Sequence, residues 1–103
     1  MEREHSVLFY GRYLMKIELK KFGTSLVSRP DGREAFLVLK AYLKPKTKEE
    51  SIELDFSNIH VLTPSWLDEF IRGIQETFPT NSIIYLPSHN ASVIESIKII
   101  QEK

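Results

Sequence analysis

SIELDFSNIHVLTPSWLDEF, residues 51–70, decides the fold of this chain. Its first part alternates apolar and acidic residues, which is typical of a strand with one buried face: Ile52, Leu54 and Phe56 against Glu53 and Asp55. Its second part begins a helix at Thr63-Pro64, because threonine caps helices well and a proline in the first turn leaves no N–H unsatisfied. A strand that leads into a helix predicts an α/β domain.

The residues before this stretch predict two strands and a helix. The strands cover Ser6–Tyr10 and Tyr13–Leu19, joined by a tight hairpin turn at Gly11-Arg12 or continuous as one bent strand. The helix runs from about Pro30 to Leu43, because a serine cap precedes it and apolar side chains recur at helical spacing. The segment KPKTKEE that follows is a solvated linker.

The residues after the stretch complete the pattern. The helix that begins at Pro64 ends at Pro79, and Ser82–Leu86 is a nearly continuous apolar run, which predicts a strand covered on both faces. A last helix is capped by Asn90 or Ser92 and carries an apolar stripe of Val93, Ile94, Ile97 and Ile100. The predicted order is β-β-α-β-α-β-α. It implies one α/β domain over residues 1–103, with a small mixed sheet of about four strands and three helices.

Composition excludes several classes of function. The 14 basic and 14 acidic residues balance, which argues against a nucleic-acid partner, because such proteins are usually basic overall or along a stripe. The chain has no cysteine, which excludes disulfides and thiolate chemistry. The start MEREHS lacks the apolar core of a signal peptide, and no apolar run is long enough for a membrane span, so we expect a cytoplasmic protein with no membrane partner.

Catalytic and metal signatures are not found in the sequence. The three histidines, His5, His60 and His89, are scattered without metal-ligand spacing. No serine pairs with a histidine and an acid in a recognisable pattern, and there is no phosphate-binding glycine loop. We therefore expect a protein that is not an enzyme and that has neither a metal nor a cofactor.

Thr63 and Ser65 are the first candidate site. Both hydroxyls lie at the start of a helix that follows a strand, where a phosphate would meet free N–H groups and the positive end of the helix dipole. Phosphorylation there would add about −1.5 to −2 charges to an exposed surface. The alternative is that Thr63 only caps the helix and Ser65 is an ordinary first-turn residue.

The loop between the second strand and the first helix is the second candidate. It is rich in small polar and guanidinium groups, and we expect it beside the start of the second helix, as loops after strands are in open α/β sheets. It forms either a partner surface or an anion site on Arg29 and Arg33; the alternative is a plain turn whose arginines pair with Asp31 or Glu34. Its candidate residues are Thr24, Ser25, Ser28, Arg29 and Arg33.

Two residues in the first turns of the second helix complete the candidate partner surface. Trp66 is the only tryptophan, and because Leu67 beside it points about 100° away on a helix, Trp66 is either a partly exposed interface anchor or an aromatic at the edge of the core. Glu69 lies near the helix start, where the dipole favours negative charge.

Several short pieces of the chain occur together in a recognisable order: Phe22-Gly23-Thr24, Ser28-Arg29, Gly32, Leu54-Asp55-Phe56 and Ser65 through Glu69. From about Met15 to Glu95 the chain resembles the bacterial STAS-like domain family of unknown function, which is related in fold to the STAS domains of anti-sigma-factor antagonists. That resemblance implies a regulatory module that docks on a histidine-kinase-like ATPase or an anti-sigma-like regulator. The alternative is a sensor domain that binds a nucleotide or small anion.

The resemblance also bears on phosphorylation. In the anti-sigma-factor antagonists an Asp-Ser pair opens the corresponding helix, and a partner kinase phosphorylates the serine. Here Thr63 stands at the aspartate and Pro64 at that serine, so Ser65 is one position late. The resemblance therefore implies where the site lies but not that it is phosphorylated. Phosphorylation of Ser65 or Thr63 is a separate hypothesis.

Overall fold

The computed structural model describes residues 7–9, 14–43 and 50–102. Within these ranges it contains six strands, three α-helices and one short 3₁₀ helix, Leu19–Phe22. The strands are β1 Val7–Phe9, β2 Leu14–Glu18, β3 Ser25–Leu26, β4 Ser51–Asp55, β5 Val61–Leu62 and β6 Ile83–Tyr85. The helices are α1 Arg29–Tyr42, α2 Pro64–Thr77 and α3 Ala91–Gln101. The predicted turn at Gly11-Arg12 and most of the predicted linker lie outside the described residues.

Four of the described strands form a mixed sheet in the order β1-β2-β4-β6. β1 pairs antiparallel with β2, whereas β2–β4 and β4–β6 are parallel. The parallel pairs confirm the prediction of an α/β fold, because each requires a helical crossover on the way back to the same edge of the sheet.

A second sheet was missed by the sequence analysis. β3 and β5 pair in parallel, with Ser25 opposite Val61 and Leu26 opposite Leu62. The sequence predicted only loops here, because two-residue strands are too short to show an alternating pattern. This small sheet ties the loop before α1 to the loop before α2.

The four-stranded sheet buries one face. Met15, Ile17, Ile52 and Leu54 are almost fully buried, while the intervening residues of β2 and β4 keep partial exposure. The prediction that the β6 strand is covered on both faces is wrong, because Ile84 is 38% exposed on the opposite face from this core. Its apolar run therefore leaves one aliphatic side chain in solvent.

The helices pack on the core face, and α1 and α2 make the closest pair. A Cβ on Gly32 of α1 would collide with the backbone carbonyl of Trp66, so the first turns of the two helices meet backbone to backbone. α3 is held to β5 by polar contacts: the Ser92 hydroxyl accepts from Leu62 N–H at 3.0 Å, and the buried Ser96 hydroxyl donates to Leu62 C=O at 3.0 Å.

The predicted apolar stripe of α3 is wrong at one position. Val93 is fully buried, but Ile94 is 50% exposed, and the buried position one turn along the helix is Ser96 rather than an isoleucine. The hydrogen bond from Ser96 to β5 explains how a polar side chain occupies this core position. No helix among the described residues has the length and hydropathy that a membrane crossing requires.

Candidate functional site

The starts of α1 and α2 are joined by the Thr63 side chain. Its hydroxyl accepts a hydrogen bond from Trp66 N–H at 3.3 Å, which caps α2, and donates to Val27 C=O at 2.8 Å in the loop before α1. Thr63 N–H also donates to Leu26 C=O at 3.0 Å. The prediction that this loop lies beside the start of the second helix is therefore confirmed.

The Ser28 side chain caps α1. Its hydroxyl accepts a hydrogen bond from Asp31 N–H at 3.1 Å, and Pro30 occupies the first turn, where no N–H is needed. Both helices thus begin with a hydroxyl cap and a proline, side by side at one end of the domain. We call this surface the N-terminal corner and define it by Val27, Ser28, Arg29, Thr63, Ser65, Asp68 and Glu69.

Arg29 bridges the two helices across the N-terminal corner. Its guanidinium donates to Asp68 at 2.9 Å and to Glu69 at 3.4 Å, and Arg72 makes a second bond to Asp68 at 2.8 Å. The hydrogen bond with Asp68 contributes most to raising the pKa of Arg29; desolvation opposes the rise, and the charge of Asp68 and the contact with Glu69 add to it. The alternative interpretation of this loop paired its arginines with Asp31 or Glu34, but the partners of Arg29 lie on α2.

These pairs bear on the anion-site alternative. An open site for a phosphate needs cations that are not already neutralised, and Arg29 already faces two carboxylates. Arg33 is exposed one turn further along α1. The geometry therefore favours a structural bridge at Arg29 over an anion site shared by Arg29 and Arg33.

Ser65 lies on the same side of α2 as the two carboxylates, because Asp68 and Glu69 follow it by three and four residues. Its side chain is half-buried and makes no hydrogen bond within the described part of the chain, whereas the Thr63 hydroxyl takes part in three, with Leu26 C=O, Val27 C=O and Trp66 N–H. A kinase would have to break the cap of α2 to modify Thr63. Of the two predicted phosphorylation sites, Ser65 is therefore the one whose modification breaks no hydrogen bond of the described residues.

A groove of about 370 Å³ lies beside the N-terminal corner, between α1 and β3. Its rim carries the acidic side chains Asp31 and Glu34, and Val38 at its edge is 53% exposed. Ser25 lines the groove. Thr24, the residue before it, is exposed, and its carbonyl accepts two hydrogen bonds, from His60 N–H and Val61 N–H. Both predicted loop residues therefore lie close to the N-terminal corner.

Trp66 is the exception among the predicted contact residues. It is 1% exposed, with its ring stacked on Phe70 at 4.9 Å and tilted against Phe22 at 6.4 Å. The interpretation as an exposed interface anchor is wrong, because the close approach of α1 at Gly32 covers this turn of α2. Trp66 is part of the core and shapes the N-terminal corner from beneath.

Two of the residues that build the site were missed by sequence reasoning, namely Asp68 as the acceptor and Arg72 as its second donor. The pair between Asp68 and Arg72 has the i,i+4 spacing that marks ion pairs on a helix, so a signal for it was present. The bridge to Arg29 spans 39 residues and has no local signal.

Asp55 forms a separate polar cluster at the carboxyl end of β4. It accepts hydrogen bonds from the hydroxyl of Ser57 at 2.7 Å and from its N–H at 2.9 Å, and it lies 3.5 Å from the Lys16 ammonium. Burial raises the pKa of Asp55, but the two Ser57 hydrogen bonds and Lys16 together outweigh it and lower that pKa below its ordinary value. The cluster fixes the turn that leaves β4.

Comparison with known proteins gave one result. A family model described as a STAS-like domain of unknown function (DUF4325) matches residues 34–87. The match covers most of α1 and all of β4, β5, α2 and β6, so it includes the α2 side of the N-terminal corner and excludes Arg29. No curated protein and no solved structure matches the chain.

Proposed function

Since the chain belongs to the family of STAS-like domains of unknown function, we propose that it is a regulatory module that docks on a protein partner through the N-terminal corner. The module works by binding and carries out no chemistry of its own. Its partner is a histidine-kinase-like ATPase or an anti-sigma-like regulator, the class that the relation to anti-sigma-factor antagonists suggests.

The observation that carries the proposal is the build of the N-terminal corner. Two capped helix starts are fixed to each other by the Thr63 hydroxyl and by Arg29, so the surface is pre-organised. Val27, 47% exposed, supplies an apolar side chain to this surface, and Arg29, Asp68 and Glu69 supply charged groups of both signs. Protein interfaces usually combine apolar contacts with polar and charged groups in this way.

We further propose that phosphorylation of Ser65 switches this surface off. A phosphate on Ser65 would add about −1.5 to −2 charges one turn from Asp68 and Glu69. The like charges repel, and the Arg29 guanidinium, which bonds both carboxylates, would be drawn toward the new group. Arg29 can leave Asp68 without stranding it, because Arg72 remains bound there. The exchange would rearrange the contact surface.

The test begins with an affinity-tagged chain expressed in its native host, from which a bound ATPase or anti-sigma-like regulator is recovered and then purified. We expect Ser65→Asp and Val27→Asp each to weaken binding to that partner at least tenfold, measured by calorimetry, and Ser65→Ala to leave it unchanged. The matched control is Thr80→Asp, which adds the same charge beyond the far end of α2, about 20 Å away at the rise of a helix.

Two outcomes contradict different parts of the proposal. If no such partner is recovered, or if Val27→Asp binds as tightly as the wild type, docking through the N-terminal corner is wrong. If Val27→Asp weakens binding but Ser65→Asp does not, the docking surface stands and the phosphorylation switch is wrong.

A further inference from the structure

β6 has an unpaired outer edge within the described part of the chain. It ends the four-stranded sheet and pairs only with β4. The ladder runs from Ile52 N–H to Ser82 C=O at 2.8 Å and from Leu86 N–H to Leu54 C=O at 3.0 Å, so the backbone of Ile84, midway between, also faces β4. The backbone groups alternate along a strand, and those of the residues on either side of Ile84 therefore point outward.

This open edge is complementary to a second copy of itself. In an antiparallel pair, two residues that face each other exchange both N–H···O=C bonds. A two-fold axis at Ile84 places Ile83 opposite Tyr85 of the second copy, and Tyr85 opposite its Ile83. Both residues point outward, so each of the two pairs can exchange both of its hydrogen bonds.

The side chains at this edge fit the same arrangement. Ile84 is 38% exposed, and the axis would bring it against its own copy at about 4.5 Å between Cα atoms, as in a pair without hydrogen bonds. On the other face, a groove of about 720 Å³ separates β6 from α3. Ile94, 50% exposed, lines this groove, so apolar surface is left open on both faces of the edge.

The charges of the groove are also self-complementary. It contains one cation and one carboxylate, Lys98 and Glu102, and neither forms an ion pair within the described residues. A two-fold interface presents the same patch from both sides, so a patch with both signs can neutralise itself whereas a patch of one sign repels its copy. The edge therefore fits another copy of this chain better than it fits a partner surface whose charges are all of one sign.

We propose that the chain self-associates through β6, so that two copies form one continuous sheet across a two-fold axis at Ile84. Because β6 is only three residues long, we expect the contact to bury less than the ~800 Å² per partner of a stable complex. Pro87 has no N–H with which to lengthen the ladder, so the dimer is reversible and depends on concentration. The inference rests on the β6 edge alone and does not depend on the proposed docking surface.

The test is sedimentation velocity over a range of protein concentrations. We expect the wild type to pass from monomer to dimer as its concentration rises, and Ile84→Lys and Ile84→Glu each to weaken self-association at least tenfold, because like charges then face each other across the axis. An equimolar mixture of the two variants should dimerise again, since lysine then faces glutamate. Ser51→Lys is the matched control, because it adds a lysine to the same sheet face on the internal strand β4.

Three results would overturn the inference. The first would be a wild type that remains monomeric at concentrations up to about 1 mM. The second would be an Ile84→Lys variant that dimerises as well as the wild type, because any dimer would then form through another surface. The third would be an equimolar mixture of the two charge variants that remains monomeric, as each variant alone does, because this would exclude the two-fold register at Ile84.

Discussion

At the scale of single residues, Asp55 gives the structure a specific dependence on pH. Its pKa in the folded state is lowered from the ordinary value of 3.8, so the charged side chain stabilises the fold fully above that value. The stabilisation is lost as the pH falls through the lower pKa of the folded state. We expect Asp55→Asn to lower the free energy of unfolding by about 1 kcal/mol at pH 7, and this deficit to shrink below about pH 4.

Urea unfolding at several pH values between 3 and 7 measures this effect. Ser57→Ala is a second probe, because it removes the hydroxyl that donates to Asp55 at 2.7 Å but keeps the carboxylate. In this variant we expect the free energy of unfolding to change less between pH 3 and pH 7 than it does in the wild type. An Asp55→Asn deficit that is equally large at pH 3 and pH 7 would show that the charge of Asp55 does not contribute in this way.

The residues of the N-terminal corner show what a sequence can and cannot reveal at this scale. Thr63 was predicted as a helix cap from its position before a proline, and the structure has that cap. The exposure of Trp66 stayed open, because it depends on a contact with Gly32, which lies more than 30 residues earlier in the sequence. The Arg29 bridge was not predicted for the same reason, since local spacing says nothing about which helix a long side chain reaches.

At the scale of elements, the close approach of α1 and α2 depends on Gly32. In an exposed helix, replacing glycine by alanine stabilises by up to about 1 kcal/mol. Here the added Cβ would meet the Trp66 carbonyl, which cannot rotate away as a side chain could. We expect Gly32→Ala to destabilise the fold by about 2 kcal/mol, within the usual range for an overpacked core, and urea unfolding checks both sign and size.

Gly73 offers a control for this prediction. A Cβ there would meet the side-chain ring of Phe36 rather than backbone. Phe36→Leu should therefore restore part of the free energy of unfolding that Gly73→Ala removes. The same Phe36→Leu change should not relieve Gly32→Ala. If Gly32→Ala is as stable as the wild type, the two helices have room to move apart, and the rigid N-terminal corner is wrong.

The elements themselves were mostly predictable, and the exceptions have physical causes. The three helices were found because each has a cap and an apolar stripe long enough to show its period. β3 and β5 were missed because two residues show no period. The covering of β6 was misjudged because an apolar run does not reveal that every helix packs on one face of the sheet.

At the scale of the whole molecule, one core joins the elements. Buried residues of the four-stranded sheet, of the small sheet and of all three helices form a single cluster. Trp66 lies in this core, and its backbone is the part of α2 that Gly32 of α1 approaches, so its fluorescence reports on the contact of α1 with α2. Far-ultraviolet circular dichroism reports on all the helices. Because a single core unfolds as one unit, we expect both signals to give the same midpoint in urea, as for a single cooperative domain.

The measurement is made at low protein concentration, so that self-association through β6 does not contribute to it. Two separate midpoints would mean that α1 and α2 unfold apart from the remainder, and the N-terminal corner would then be a mobile unit rather than a pre-organised surface.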